Sequence, residues 1–156
     1  MRVFLSSTYE DLAAHRQSVE LSLSISGIPY NAMEHFGAVP TPPLKTCLDV
    51  VKASDVFLGV IGVRYGSSPG KAVLSYSERE YRGAKAAKLP ILMFLIDMRN
   101  AAVAPHFVSG ESPEQQRRLA EFKKRAKAGH TVTYFTTPED LARVVLASLI
   151  RQFGVI

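Results

Sequence analysis

The amino-acid sequence predicts an α/β fold, a three-layer sandwich in which helices cover both faces of a five-stranded parallel sheet. Segments with strand-like composition alternate along the chain with segments of helical periodicity. Residues 55–66 are almost entirely apolar until Arg64, and residues 90–96 are similar, as is typical of strands buried on both faces of a parallel sheet. Three predicted helices begin with a Thr-Pro or Ser-Pro pair, a common helix start.

The first two strands flank the first helix. An apolar strand at 2–6 leads into a helix over 9–26, which Thr8 and Asp11 begin with a Thr-x-x-Asp signal. A second strand at 28–33 is weaker, because the proline within it favours an edge position in the sheet.

The central part of the chain continues the alternation. Thr41 is predicted to cap the next helix, with Pro42 at its first position, and this helix ends near Ser54. The apolar strand within 55–66 follows directly. After a loop, residues 76–88 form another helix.

The last third of the chain completes the sheet. The strand at 90–96 is followed by a connection over 98–111 without a clear period, and then by a basic helix over 112–129. A strand at 131–135 and a helix from Thr137 follow. Five strands interleaved with helices favour the flavodoxin-like strand order 2-1-3-4-5, with the two most apolar strands at its centre. We expect one domain over 1–156.

Composition restricts the classes of function. Apolar residues make up 47% of the 156 residues, enough for a sizeable core, and the formal charge of +5 favours anionic ligands only weakly. Because the basic residues are scattered except near the predicted 112–129 helix, nucleic acid is not an expected partner. The single cysteine, Cys47, and the lack of a long apolar run predict a cytoplasmic protein without a membrane span. The four histidines show no metal-ligand spacing, so no metal is expected.

The predicted topology places a binding site at one end of the sheet. Ligands of open α/β sheets bind beyond the carboxyl ends of the strands, where the strand order reverses. The loop after the first strand brings Ser6, Ser7 and Thr8 to that point, next to free backbone N–H groups of a helix start. The alternative is that Thr8 is only a helix cap.

The loop after the third strand contributes to the same point. Gly62 and Gly66 allow close approach of the backbone to a ligand. Arg64 is expected to pair with a phosphate or carboxylate, and Tyr65 to stack on a base. The alternative is a flexible loop with a surface arginine. Neither a dinucleotide-binding glycine motif nor a P-loop motif is present.

Two carboxylates begin the helix over 76–88. Glu78 is assigned to the site as a ligand-binding residue, although carboxylates near a helix start are also favoured by the helix dipole alone. Glu80 lies on a different face and four residues before Ala84, where the helix packs on the sheet, so Glu80 is expected to point toward the crevice. A carboxylate there binds ribose hydroxyls or stabilises an oxocarbenium-like centre in N-glycosidic cleavage.

Three sequence blocks together resemble a known family. The segments "VFLSSTYEDLAAHR", "ASDVFLGVIGVRYG" and "SYSEREYRGAKAAKLPILMFL", within residues 3–97, are similar to the signature blocks of the domain-of-unknown-function 4062 family. Members usually carry this domain at the N-terminus of larger proteins, often before a signalling ATPase and repeats. The resemblance implies that this chain is the N-terminal part of a larger signalling protein.

The blocks also resemble Toll/interleukin-1-receptor (TIR) domains more distantly. TIR enzymes cleave NAD at the nicotinamide–ribose bond with a helix glutamate that stands four residues before a small residue and precedes a Pro-hydrophobic strand. Glu80, Ala84 and "LPILMF" match that arrangement, whereas Tyr76 and Ser77 replace the Trp-Cys pair that often precedes the glutamate. This resemblance implies a catalytic Glu80, with NAD as a substrate and no resident cofactor.

Two other interpretations stay open. The first is a non-catalytic protein-interaction module of a STAND-type signalling or defence protein, which acts through a homo-oligomer or a signalling partner. The second is an enzyme that resembles nucleoside deoxyribosyltransferases, which share the flavodoxin-like sheet. Because its nucleophile is also a carboxylate, a trapped glycosyl intermediate would separate it from an NAD glycohydrolase.

Overall fold

The computed structural model describes residues 1–35, 37–39 and 43–154. Its sheet contains five parallel strands in the order β2-β1-β3-β4-β5, which confirms the predicted flavodoxin-like topology. The strands are β1 (Val3–Ser7), β2 (Tyr30–Asn31), β3 (Val56–Ile61), β4 (Ile91–Ile96) and β5 (Thr133–Phe135). All six residues of β3 are buried, as the apolar run predicted.

Helices connect the strands and cover both faces of the sheet. They are α1 (Ala13–Ile25), α2 (Pro43–Lys52), α3 (Tyr76–Ala86), α4 (Pro105–Ser109), α5 (Pro113–Gly129) and α6 (Pro138–Phe153). A short 3-10 turn over Met33–His35 follows β2. Within the described residues, no helix is both long enough and apolar enough to cross a bilayer.

Two hydrophobic clusters lie on opposite faces of the sheet. Val3 and Leu5 of β1 pack in the cluster that contains α1 and α6, while Phe4 between them packs in the cluster that contains α2, α3 and α5. This alternation follows from the two-residue period of a strand. The fold is therefore the predicted three-layer sandwich.

The helix starts of the second half follow the predicted caps. The Ser112 hydroxyl accepts a hydrogen bond from the Gln115 backbone, and the Gln115 side chain accepts one from the Ser112 backbone, so α5 begins with a complete capping box. The Thr137 hydroxyl accepts from the Asp140 backbone at the start of α6. The predicted cap at Thr41 and Pro42 lies outside the described residues.

The start of α1 differs from the prediction. The helix begins at Ala13 rather than near residue 9, and Leu12 is its N-cap without a side-chain hydrogen bond. The Thr8 hydroxyl donates instead to the Asp11 carboxylate, which also accepts from the backbone N–H groups of Val63 and Arg64. The interpretation of Thr8 as a helix cap is therefore wrong, because Asp11 bonds across to the loop after β3.

The connection over 98–111 contains a helix that the sequence pattern did not predict. Helix α4 has only five residues, and none of them is buried. Such a short exposed helix has no apolar period to detect. Its Pro105 occupies the first turn, where a missing backbone donor costs nothing.

Candidate functional site

A cavity opens at the carboxyl edge of the sheet, between the loop after β1 and the loop after β3. We call it the Glu80 cavity; its volume is about 450 Å³. It is lined by Leu5, Ser7, Thr8, Tyr9, Glu10, Arg16, Met33, Glu34, Arg64, Gly66, Ser67, Tyr76, Ser77, Glu80 and Gln115. The position is the one that the reversal of strand order favours for a ligand.

Glu80 reaches this cavity because of the way α3 begins. The Ser75 hydroxyl caps the helix at the Glu78 backbone, and Ala84, one turn after Glu80, is fully buried and holds the helix close to the sheet. Glu80 is itself only 3% exposed, yet it lines the cavity. The Ser6 hydroxyl donates a hydrogen bond to its carboxylate. The acid therefore sits at the floor of the cavity and not in bulk solvent.

The environment of Glu80 favours its protonated form. Burial raises the pKa of Glu80 to about 8, and the Glu34 carboxylate adds to the shift, while the Ser6 hydrogen bond and the Arg16 charge oppose it. At neutral pH most molecules of the free protein therefore carry a neutral Glu80. A cationic group placed beside it would favour the carboxylate.

A buried arginine forms one wall of the cavity. Arg16 is 4% exposed and donates to the Ser7 hydroxyl oxygen and to the Glu34 carboxylate, the latter through Nε at 2.8 Å and also through Nη2. The Ser7 hydroxyl in turn donates to the Thr8 carbonyl at 2.8 Å. Arg16 thus ties α1, the loop after β1 and the segment after β2 together around the cavity.

The opposite wall carries a second arginine that is bound more weakly. The Arg64 guanidinium lies 3.6 Å from the Glu10 carboxylate and donates to the Phe107 carbonyl at 3.4 Å. Glu10 is largely exposed, so this ion pair is weak. Arg64 is therefore the cation of the cavity most readily available to a phosphate.

Gly66 allows the two loops to approach each other. Its φ is 86°, and a Cβ atom there would lie 2.7 Å from Cγ2 of Thr8. Its backbone N–H, with that of Tyr65, donates to the buried carboxylate of Glu111. The loop after β3 is thus held in place at the cavity rim.

The structure brings together five of the nine predicted site residues at the cavity. They are Ser7, Thr8, Arg64, Gly66 and Glu80. Ser6 lies beneath the cavity, where it is buried and bonds to Glu80. Gly62 does not line the cavity: a Cβ at this position would meet the Asp11 carboxylate at 2.4 Å, so this glycine serves packing of the loops.

Tyr65 and Glu78 lie elsewhere. Tyr65 is 2% exposed, and its hydroxyl donates to Glu78 and accepts from the Ser75 backbone, so the ring packs in the core and is not placed to stack on a base. Glu78 is 1% exposed and also accepts from Arg82 and Arg125. Its charge is thus neutralised inside the helical layer, and it does not face the cavity.

Arg16 and Glu34 are site residues that sequence reasoning missed. Arg16 lies four residues after Leu12 and three before Val19, so it falls within the apolar stripe of α1. A charged residue in that stripe indicated a buried partner or a role in the site. Glu34 gave no signal, because it follows a two-residue strand in a segment without periodicity.

One cluster of potential metal ligands appears among the described residues. Glu20, Glu34 and His35 each offer one ligand atom, and these atoms lie within 4.8 Å of one another. All three side chains are at least partly exposed, and Glu34 already pairs with Arg16. This arrangement is accounted for by ion pairing and carries no metal assignment.

Solved structures with the same fold include an N-glycosidase and a set of TIR domains. The CMP N-glycosidase BcmB of Clostridium botulinum has a TM-score of 0.52 and 20% identity, over 94% of this chain and 99% of that one. The TIR domains of the activated Roq1 resistosome, which recognises the pathogen effector XopQ, have a TM-score of 0.60 and 12% identity, over 95% and 98%. At these identities the likeness establishes the fold alone.

Comparison of sequences gives the family. A search of curated proteins gave no match. Residues 2–150 match the family described as Domain of unknown function (DUF4062), which covers nearly the whole chain and agrees with the three sequence blocks. The chain therefore belongs to the DUF4062 family, with a TIR-like, flavodoxin-like fold.

Proposed function

We propose that the protein hydrolyses the N-glycosidic bond of a nucleotide in the Glu80 cavity, with NAD as the leading substrate. The observation that carries the proposal is a buried carboxyl group at the floor of an open cavity, with two guanidinium groups on its walls. The carboxyl group suits a sugar that becomes positively charged, and the guanidinium groups suit phosphates. The fold shared with a CMP N-glycosidase and with TIR domains supports the same class of reaction.

The chemistry of the proposed reaction follows from the leaving group. In NAD the nicotinamide ring is cationic, so when the bond between C1′ and the ring nitrogen breaks, the electron pair leaves with a neutral nicotinamide. Water then adds at C1′ and releases one proton. No acid is needed for the leaving group, and Glu80 acts as a carboxylate that stabilises the positive sugar in the transition state.

The protonation of Glu80 makes this proposal sensitive to pH. Because the pKa of Glu80 in the free protein is about 8, kcat/KM for NAD is expected to rise with pH up to that range. A nucleotide with a neutral base, such as CMP, needs a proton on its leaving group and would be favoured by the protonated acid instead. The sign of the pH dependence therefore distinguishes the two kinds of substrate.

The test is product analysis by chromatography. The concentrated protein is incubated with NAD, and separately with CMP, at pH values from about two units below to about one unit above the pKa of Glu80. The account predicts release of nicotinamide that increases with pH and disappears in Glu80→Gln. No release of a base from either nucleotide would contradict the proposed function. Transfer of the sugar to an added second base would indicate a deoxyribosyltransferase-like enzyme.

A second candidate function is self-association without catalysis. Leu21 and Ile25 are exposed near the end of α1, and Ile150 and Phe153 near the end of α6, which packs beside α1. These apolar side chains are exposed on neighbouring helices, where a second copy of this chain could cover them. Light scattering across a concentration series tests this function: the average mass should rise with concentration, and less so in Ile25→Asp.

A further inference from the structure

A second cavity lies beside the Glu80 cavity, on the far side of Glu10 and Arg64. We call it the His15 cavity; its volume is about 380 Å³. The first turn of α1 supplies Ala14 and His15, the connection after β4 supplies Val103, and α4 supplies Phe107. The lining is mostly apolar, with one aromatic and one imidazole ring, and so suits a flat, weakly polar group.

The two cavities adjoin each other at Glu10. Glu10 lines both cavities, and Arg64 lines the Glu80 cavity while its guanidinium contacts the Phe107 carbonyl of the His15 cavity at 3.4 Å. The Arg64–Glu10 pair, at 3.6 Å, joins a largely exposed carboxylate and contributes little. A phosphate group that binds the guanidinium through two oxygens would displace Glu10 and connect the cavities.

His15 contributes a ring to the wall of this cavity rather than free hydrogen-bonding atoms. The Asp11 carboxylate already accepts from Thr8, Val63 and Arg64. Both ring nitrogens of His15 are themselves buried, and the ring packs edge-on against Phe135, with the ring centroids 5.5 Å apart. Burial, the largest effect, lowers the pKa of His15 and favours the neutral ring, while a backbone hydrogen bond with Thr136 acts in the opposite direction. A ring set among apolar side chains suits the flat face of a purine or pyrimidine.

We propose that the two cavities together bind a dinucleotide. One nucleoside lies in the Glu80 cavity, the bridging phosphates lie at Arg64, and the second base lies in the His15 cavity between Phe107 and His15. This inference rests on the proposed function for the first nucleoside and adds a second binding compartment. It follows that a dinucleotide binds more tightly than the mononucleotide that corresponds to its half in the Glu80 cavity.

The test is calorimetric titration with NAD and with nicotinamide mononucleotide, carried out on Glu80→Gln so that neither ligand is consumed. The second base is expected to strengthen binding of NAD about tenfold over the mononucleotide. Ala102→Trp fills the His15 cavity from an exposed position and should abolish that difference, while mononucleotide affinity stays unchanged. Ala53→Trp, an exposed alanine at the opposite edge of the sheet, is the matched control and should alter neither affinity.

A second variant tests the same cavity in case the bulk of Ala102→Trp disturbs the fold. Phe107→Ala removes the ring from the cavity without adding bulk, and should weaken NAD binding but not mononucleotide binding. Equal affinity for the two ligands, or NAD affinity unchanged in both Ala102→Trp and Phe107→Ala, would overturn the inference. If the dinucleotide preference is found but the wild-type protein releases no nicotinamide, the proposed catalysis fails and the second compartment stands.

Discussion

Glu78 and Glu80 are only two residues apart on α3, yet their carboxyl groups have different surroundings. Glu78 and Glu80 are both buried in the first two turns of the helix. Glu78 accepts from two arginines and a tyrosine hydroxyl, so its negative charge is compensated. Among the described residues, Glu80 is stabilised as a carboxylate only by the Ser6 hydroxyl and by Arg16, which is already bound to Glu34. Burial with this limited compensation raises the pKa of Glu80 to about 8.

The raised pKa of Glu80 predicts a pH-dependent stability. Below pH 4.5 the acid is protonated in both states, whereas between 4.5 and about 8 the folded protein keeps a proton that the unfolded chain releases. This contribution to the free energy of unfolding therefore falls as pH rises, by up to about 1.4 kcal/mol per pH unit. Glu80→Gln, which cannot titrate, should gain stability relative to wild type between pH 5 and pH 8 in urea denaturation. If the free energies of unfolding of wild type and Glu80→Gln changed in parallel with pH, burial would not raise the pKa of Glu80.

Gly66 has a positive φ and also lies in close contact with Thr8 of the neighbouring loop. Gly66→Ala places a Cβ against Thr8 at a positive φ, and we expect it to lower the free energy of unfolding by about 1–3 kcal/mol. Gly70→Ala is the matched control, because its φ is also positive, at 54°, but nothing lies within 4 Å of the added atom. Equal destabilisation of both variants would show that the loop after β1 and the loop after β3 are not in close contact at Gly66.

At the scale of elements, Asp11 joins the loops that form the site. Its carboxylate accepts from Thr8 in its own loop and from the backbone of Val63 and Arg64, 52 and 53 residues further along the chain. The loop after β1 and the loop after β3 are thus fixed to each other at the cavity rim. Because Asp11 serves this contact, the helix start moves to Ala13.

Removal of that carboxylate tests the connection between the two loops. Asp11→Ala leaves two backbone N–H groups without their acceptor, and we expect a loss of about 1–3 kcal/mol in the free energy of unfolding. Glu10→Ala, at the neighbouring and largely exposed acid, should change stability by less than about 0.5 kcal/mol. Thermal denaturation of both variants makes the comparison, and equal effects would contradict the assignment of Asp11 as the link.

At the scale of the whole molecule, the pattern of apolar residues was sufficient to predict the sheet. It was not sufficient to predict where the side chains at the edge of the sheet point. The buried strands β3 and β4 were predictable, because burial on both faces requires a nearly continuous apolar run. The arrangement of the site depends on contacts between distant segments. Tyr65 was expected to face a ligand but packs in the core, since no local pattern tells which side of a loop a ring takes.

The long-range contacts also explain the two residues that were missed. Arg16 meets Glu34 across 18 residues, and the pair closes one wall of the Glu80 cavity. A charge inside the apolar stripe of α1 indicated a buried partner, but the identity of that partner required the fold. Glu80 was predictable because helical spacing and the nearby Ala84 both oriented it toward the sheet.

The Arg64 guanidinium is only weakly paired within the protein, so its removal is expected to weaken binding of a phosphate in the Glu80 cavity. Arg64→Ala should weaken binding of nicotinamide mononucleotide at least about tenfold, because a charge-assisted hydrogen bond to phosphate is lost. Arg99→Ala removes the same charge from an exposed site outside the cavity and serves as the control. Equal affinities of the two variants in calorimetry would remove Arg64 from the phosphate site.

The most direct test of the account compares nicotinamide release by Glu80→Gln and Glu78→Gln at pH 8. Both substitutions replace a buried acid of α3 by its amide, but only the first lies in the cavity. We expect Glu80→Gln to lose at least about 100-fold in rate while its fold is retained, and folded Glu78→Gln to keep most of its activity. Full activity in folded Glu80→Gln would show that the Glu80 carboxylate does not act in the reaction.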